Sequence, residues 1–269
     1  VSNDPTAIAQ QIEQAQSAGI DGFLVSAFDD PNFIQEEGLD NLIRIANDRN
    51  FSVGIFMEDW DSSNLETGIF SRERISNWLA WFFETYGDQP SILRAAGKPV
   101  IFVYQLGNVP LSFWQSILTD LESNGHYGLF LAPGYNPSSL AVFDGIFEYG
   151  VVESLNYSDV YKSIETAVEN YPILDPTHKD KIWVASVMPG FDNTPLVIYE
   201  GWQYNFTDRV NGEFYRRTWE AALKSGADWV MIITWNEYQE NTHIEPSEQY
   251  GDLYLQITSE YVLQWKNIH

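Results

Sequence analysis

The sequence contains no cysteine among its 269 residues. Disulfide bridges and thiolate metal sites are therefore excluded, and the redox compartment leaves no mark on the chain. Basic residues are scarce: 14 Lys and Arg stand against 38 Asp and Glu, a formal net charge of -24. Like-charge repulsion opposes nucleic acid and anionic membrane surfaces as partners, whereas a neutral polyol meets no such barrier. Long apolar runs are missing too. No stretch approaches about 18 residues, the length a membrane-spanning helix needs, and the first residues lack a charged-then-apolar leader. A soluble chain without membrane insertion is expected, its acidity spread over a solvated surface.

Aromatic residues, by contrast, make up 15% of the chain and include ten tryptophans. Many belong in a core. Sugars present apolar C–H faces that stack on flat rings, so a surplus of rings in loops suits a carbohydrate site. Asn156-Tyr157-Ser158 and Asn205-Phe206-Thr207 are formal N-glycosylation acceptors, and they lead us to expect an extracellular or cell-surface protein.

Hydrophobic periodicity divides the chain into alternating helices and strands. Asp4 and Pro5 supply an N-cap and a first-turn proline for a helix with Ile8, Ile12 and Ala15 on one face, ending at Gly19. Further helices are predicted near 38–48, from 71 (Ile75, Trp78, Leu79, Phe82, Tyr86), over 110–123 (Phe113, Ile117, Leu118, Leu121) and around 159–169. Two more follow over 212–224 (Phe214, Trp219, Ala222, Leu223) and about 250–265 (Leu253, Ile257, Tyr261). Seven strands begin near Ile20, Ser52, Pro99, Gly128, Gly145, Ile182 and Asp228. Such alternation argues for a parallel sheet with right-handed crossovers. The length suits an α/β fold of the (β/α)8 TIM barrel type, with 1–269 as one domain, since such barrels commonly run to about 250 residues. Seven strands are one short of eight. We therefore expect the given sequence to lack the opening strand, because an open barrel would leave two unpaired edges.

Barrels of this type place their reactive groups where strands end. Glu58, Asp59, Trp60 and Asp61 follow one strand, Tyr104 ends the next, and Glu148 and Tyr149 follow the short strand at Gly145. From Met188 to about Val210 the pattern is irregular and carries Phe191, Tyr199, Trp202, Tyr204 and Phe206. Loops this long are usually functional or disordered; so many rings predict a lid or wall of a sugar cleft. The sharpest transition lies further on, where the apolar run Trp229 to Ile233 gives way to Trp235, Asn236, Glu237, Tyr238, Gln239, Glu240, Asn241, Thr242, His243, Ile244, Glu245 and Pro246. Glu237 and Glu240 are the candidate pair. Breaking an acetal needs one carboxyl to protonate the leaving oxygen and a second carboxylate to assist at the ring, and adjacent charges split the two proton affinities. Three residues of extended strand span about 10 Å, so a turn must fold the two acids together.

The segment from Trp235 to Pro246, with Met188-Pro189-Gly190-Phe191-Asp192-Asn193-Thr194 upstream, resembles glycoside hydrolase family 99, the endo-acting α-mannosidases and α-mannanases. It is similar, less closely, to the family 71 α-1,3-glucanases. The likeness runs in order over nearly the whole chain. It implies an oligo- or polysaccharide substrate, no cofactor and no metal. It also implies a retaining mechanism in which Glu237, as base, draws the proton from the sugar's own 2-hydroxyl to form a 1,2-anhydro sugar, while Glu240 is general acid, then base. Glu58 falls on an acidic residue of the family's sugar site, and Tyr104 resembles a tyrosine lining it. From their places in these segments, Trp60, Tyr149, Phe191, Asp192, Trp202, Trp235, Asn236, Tyr238 and His243 complete the set expected to bind substrate. One departure stands out: a basic residue is expected after Asp192-Asn193-Thr194, and Pro195-Leu196-Val197 supplies none. A family 71-like endo-α-1,3-glucanase and a non-catalytic carbohydrate-binding or scaffold protein of the same fold remain open as alternatives. A biosynthetic transferase is a third; no glycine-rich diphosphate cradle accompanies it.

Overall fold

In the computed structural model the described residues are 3–28, 36–58, 71–107, 109–134, 137–150, 157–174, 181–201 and 203–268. The chain divides into two compact units, residues 1–16 with 21–144, and residues 17–20 with 145–269. In the first unit the order is α1 (Pro5–Ser17), β1 (Gly22–Phe28), α2 (Glu36–Arg49), β2 (Ser52–Glu58), α3 (Arg72–Tyr86), β3 (Arg94–Ala95), β4 (Lys98–Val103), α4 (Leu111–Ser123) and β5 (Leu129–Pro133). β1 pairs with β2, β2 with β4 and β4 with β5, all parallel, while β3 forms a small antiparallel hairpin with β4. Val53 to Met57 of β2 are all buried, as a parallel strand covered on both faces requires. The helical stripe of α3 packs inward as the periodicity indicates, with Ile75, Trp78, Leu79, Phe82, Phe83 and Tyr86 buried.

The second unit continues with β6 (Gly145–Phe147), α5 (Tyr157–Leu174), β7 (Ile182–Val187), β8 (Phe191–Asp192), α6 (Thr194–Glu200), β9 (Phe206–Thr207), α7 (Glu213–Leu223), β10 (Trp229–Ile232) and α8 (Leu253–Ile268). β6 pairs with β7 and β7 with β10, again parallel. All seven strands expected from the sequence are thus present, each within two residues of its anticipated start. Because the parallel strands of a unit run the same way, their carboxyl ends share one rim. In the second unit that rim carries Glu148, Met188 and Thr234.

Several details differ from the sequence reading. The stretch 188–210 is not an irregular loop: β8 and β9 pair antiparallel, and α6 lies between them. Short-range polar side chains account for this. Asp192 Oδ1 accepts from Thr194 N and Thr194 Oγ1 at 3.0 and 2.6 Å, Pro195 occupies the first turn of α6, and Gly201 ends it in the left-handed conformation. Asn193 ties the hairpin's limbs, donating from its amide to Gln203 O and accepting from Asn205 N at 2.8 and 2.9 Å. α5 continues through Pro172 to Leu174, further than the predicted stop near 169. A proline in the last turn sacrifices one backbone bond without breaking the turns before it. His178 lies outside the described residues.

In two helices one aromatic of the predicted face gives way to its neighbour, while Ile117, Leu118 and Leu121 of α4 and Trp219 and Ala222 of α7 are buried as expected. In α4, Trp114 rather than Phe113 is buried, because its indole N–H reaches Leu106 O at 2.9 Å and the larger ring displaces more water. In α7, Tyr215 rather than Phe214 faces inward, its hydroxyl 2.9 Å from Thr258 Oγ1 of α8. α8 itself starts three residues later than predicted and buries Tyr254 rather than Leu253.

Gly190, between β7 and β8, has φ of +151°, and a Cβ there would come within 2.5 Å of Arg209 Cγ and 2.9 Å of Thr207 O. Gly190→Ala should therefore destabilise the fold by about 2–4 kcal/mol through overpacking and backbone strain, read as a lowered midpoint in urea unfolding. Glu148, at the end of β6, donates its backbone N–H to Val184 O at 3.1 Å, and burial pushes its carboxyl up to about 7. The folded state then holds a proton that the unfolded chain has already released, so this group's contribution is fully present below the ordinary carboxylate range and is lost as pH rises toward 7. Glu148→Gln should be more stable than the parent near pH 8 by about 1–3 kcal/mol, with the advantage gone near pH 4; paired urea midpoints at the two pH values measure it.

Candidate active site

β10 ends at Ile232, and the chain folds back on itself at once. Thr234 N donates to Thr242 O at 3.0 Å, Ile244 N donates to Thr234 O at 3.0 Å, and Glu245 N donates to Trp235 O at 2.9 Å. These bonds make Thr234–Trp235 and Thr242–Glu245 two limbs of one closed loop. The residues between them form the required turn: Asn241 N reaches Tyr238 O at 3.2 Å, Thr242 N reaches Glu237 O at 3.2 Å, and Asn241 adopts φ of +50°, a conformation asparagine tolerates better than most residues. Two threonines brace the interior. Thr234 Oγ1 accepts from Glu237 N at 3.0 Å and lies 2.9 Å from Thr242 Oγ1.

Glu237 and Glu240 are thereby carried on one short turn at the carboxyl end of β10. Glu237 keeps contact with solvent, yet the surrounding protein displaces enough water to raise its carboxyl above the ordinary glutamate value. Glu240 is half-buried, and its carbonyl accepts from Asp192 N of β8 at 2.8 Å. Tyr238 donates its hydroxyl to Glu245 Oε2 at 2.6 Å; burial and then that carboxylate raise its phenol's pKa. His243 is buried, its ring 4.3 Å from that of Tyr238. Neither ring nitrogen has a hydrogen-bond partner among the described residues. Burial, and secondarily the Arg209 charge, lower its pKa to about 4, so the imidazole stays neutral at ordinary pH. Asn236 is exposed and Trp235 half-buried beside the acids.

Beneath the turn lies a residue the sequence reading passed over. Arg209 is buried and donates from Nε and Nη2 to Asn241 O at 3.2 and 2.8 Å, and from Nη2 to His243 O at 2.8 Å. Its guanidinium carbon sits 4.3 Å from the ring centroids of both Tyr250 and Tyr254, within cation–π range. Burial lowers its pKa. Arg209 fell in a stretch read as loop; the available signal was one arginine in a strongly acidic chain. Glu245 was missed as well, because only the loop's closure brings it to Tyr238.

Other anticipated residues divide by unit. In the second, Phe191 and Asp192 form β8, half-exposed, and Asp192 joins the acid turn through Glu240. Tyr149 follows β6, partly buried. In the first, Glu58 is the last residue of β2 rather than just beyond it, and accepts from Ser26 Oγ at 2.5 Å. Tyr104 follows β4, donates its N–H to Met57 O at 3.0 Å, and its ring lies 5.4 Å from Phe56. These two occupy the carboxyl ends of neighbouring strands. Trp60, Asp59, Asp61 and Trp202 lie outside the described residues. Among the described residues no group of three His, Cys, Asp or Glu is placed to hold a metal ion, and no helix is long and apolar enough to cross a membrane.

Comparison with known proteins gives one consistent result. The glycoprotein endo-α-1,2-mannosidase of Mus musculus is 24% identical over 285 residues, covering 94% of this chain and 57% of its own length. The human glycoprotein endo-α-1,2-mannosidase-like protein is 23% identical, covering 96% of this chain and 61% of itself. The chain thus spans about three fifths of the length of these curated relatives. A solved GH99 endo-α-mannosidase from Bacteroides thetaiotaomicron, in complex with Bis-Tris propane, superposes with a TM-score of 0.82 at 22% identity, covering 99% of this chain and 85% of that one. Identity at this level speaks to the fold, which is an α/β barrel of the (β/α)8 TIM type, with seven of its parallel strands among the described residues. The model of the family described as Glycosyl hydrolase family 99 matches residues 1–256, and with that match over all of the chain but most of its last helix, the chain belongs to glycosyl hydrolase family 99.

Proposed function

We propose that this chain is the catalytic part of an endo-acting glycosidase that cleaves α-mannosyl linkages in an oligo- or polysaccharide with retention of configuration. The carrying observation is the acid-bearing turn: Glu237 and Glu240 stand on a loop closed by backbone hydrogen bonds at the end of a parallel strand, in a chain matched by the family 99 model. In the proposed first step the Glu237 carboxylate takes the proton from the sugar's 2-hydroxyl. The freed oxygen attacks the anomeric carbon, the glycosidic bond breaks, and the Glu240 carboxyl gives its proton to the leaving oxygen. In the second step Glu240, now a carboxylate, takes a proton from water, whose oxygen opens the 1,2-anhydro ring, and Glu237 returns the first proton to the 2-oxygen. Two inversions leave the configuration retained.

The proton affinity of Glu237 supports its role as base. A base gains strength as its pKa rises toward the working pH, and desolvation raises that of Glu237. Exposed rings on the β8–α6–β9 segment, including Tyr204 stacked on Phe206 at 6.5 Å, offer apolar faces for sugar stacking. Asn205, within a glycosylation acceptor sequence, is exposed, which fits an extracellular or cell-surface setting.

Digestion of a yeast-type α-mannan beside an α-1,3-glucan tests the reading. Mannose-containing fragments should appear from the first alone, and Glu240→Gln and Glu237→Gln should each lower turnover by at least about a thousandfold while glycan binding survives. Release from the glucan only would move the chain to a family 71-like activity, and binding without cleavage of either would make it a carbohydrate-binding protein. The pH profile gives a second check. Since the base must be ionised and its pKa is raised, kcat/KM should fall on the acid side with an apparent pKa above the ordinary glutamate value of about 4.3; an acid limb at or below that value would remove Glu237 from the role of base.

A further inference from the structure

Resting on the glycosidase reading above, we propose that Arg209 is a positioning residue for the carboxylate turn, holding the carbonyls of Asn241 and His243 so that Glu237 and Glu240 keep one geometry. Arg209 is 5% exposed and, among the described residues, has no carboxylate partner; the charged or polar groups acting on it are tyrosines. Burying a cation without a counter-ion is costly, and an apolar side chain of similar volume would fill the space without that cost. The charge persists where its Nε and Nη2 donors are committed to the backbone of one loop, while the buried Nη1 has no hydrogen-bond partner among the described residues.

The geometry of that commitment is specific. Asn241 and His243, whose carbonyls Arg209 binds, flank Thr242, and Thr242 closes the turn through its N–H to Glu237 O and its carbonyl from Thr234 N. Three residues before Arg209, Phe206 pairs with Asp192, and Asp192 N holds Glu240 O at 2.8 Å. The β8–β9 hairpin and the residues just after it therefore grip the carbonyls of 240, 241 and 243, one through Asp192 and two through Arg209. Gly190 leaves the room that lets Arg209 lie there, and Tyr250 and Tyr254 orient the guanidinium from the side of α8. A lysine ammonium cannot reproduce a planar fork that spans two carbonyls and stacks on rings.

The test uses Arg209→Lys and Arg209→Met, the latter keeping much of the aliphatic volume. Both should remain folded at the assay temperature by circular dichroism. kcat on α-mannan should fall by at least about tenfold in each, as expected when reacting groups lose alignment, with KM changed by less than about threefold. Amide hydrogen exchange should accelerate across residues 237–243 and stay unchanged in β6 and β7. A kcat per folded molecule that falls by less than about tenfold, or a kcat lost only in proportion to the folded fraction, would overturn the assignment. If the parent itself cleaves no α-mannoside, the glycosidase reading fails by that result alone, and the exchange measurement still decides Arg209: unchanged protection of the turn in both variants removes it from any positioning role.

Discussion

The acid-bearing end of the second unit depends on the backbone bonds that Thr234 makes across its loop, to Thr242 and Ile244. A strand that simply continued past Ile232 would alternate its side chains to opposite faces and carry Glu237 and Glu240 apart. By pairing with Thr242 and Ile244, Thr234 converts the chain into a closed loop whose tip is the turn from Glu237 to Asn241. The same closure delivers Glu245 to the hydroxyl of Tyr238 and brings His243 against its ring. A loop exposed on one side needs such internal satisfaction of its polar backbone groups, since water reaches only part of it.

Charge is distributed unevenly around this frame. Among the described residues, the cations in ion pairs lie near the surface, as in Arg72 with Asp120, Lys162 with Glu165 and Arg216 with Glu260. Such solvated pairs contribute little, because water screens the charges and holding two long side chains in one geometry costs entropy. Arg209 differs in being buried with its Nε and Nη2 donors on carbonyl oxygens. Its field also helps keep His243 neutral. A protonated histidine there would place two cations under a loop that bears carboxylates, and would alter both their proton affinities and the loop's packing.

Element order was legible from periodicity because parallel strands covered on both faces read as continuous apolar runs, as Val53 to Met57 and Val100 to Val103 do. Helix faces were legible to within a residue. Where two aromatics adjoin, as at Phe113–Trp114 and Phe214–Tyr215, periodicity cannot choose between them; the choice went to the ring with a polar atom that finds a buried partner. The β8–α6–β9 segment was unreadable for another reason. Its strands have two residues each, too few for any period, and its shape rests on side-chain bonds of Asp192 and Asn193 across up to 12 positions.

The candidate acids could be named from sequence because their chemistry is a property of the residues and their place is a property of strand order. Local composition determined that Glu237, Tyr238 and Glu240 would follow an apolar strand, and nothing distant can alter that. Tertiary structure alone decided which groups surround them. The grip of Asp192 and Arg209 on the turn joins residues some 32 to 48 positions apart, and the raised proton affinity of Glu237 comes from burial by neighbours. Both depend on distances through space, which separation along the chain does not encode.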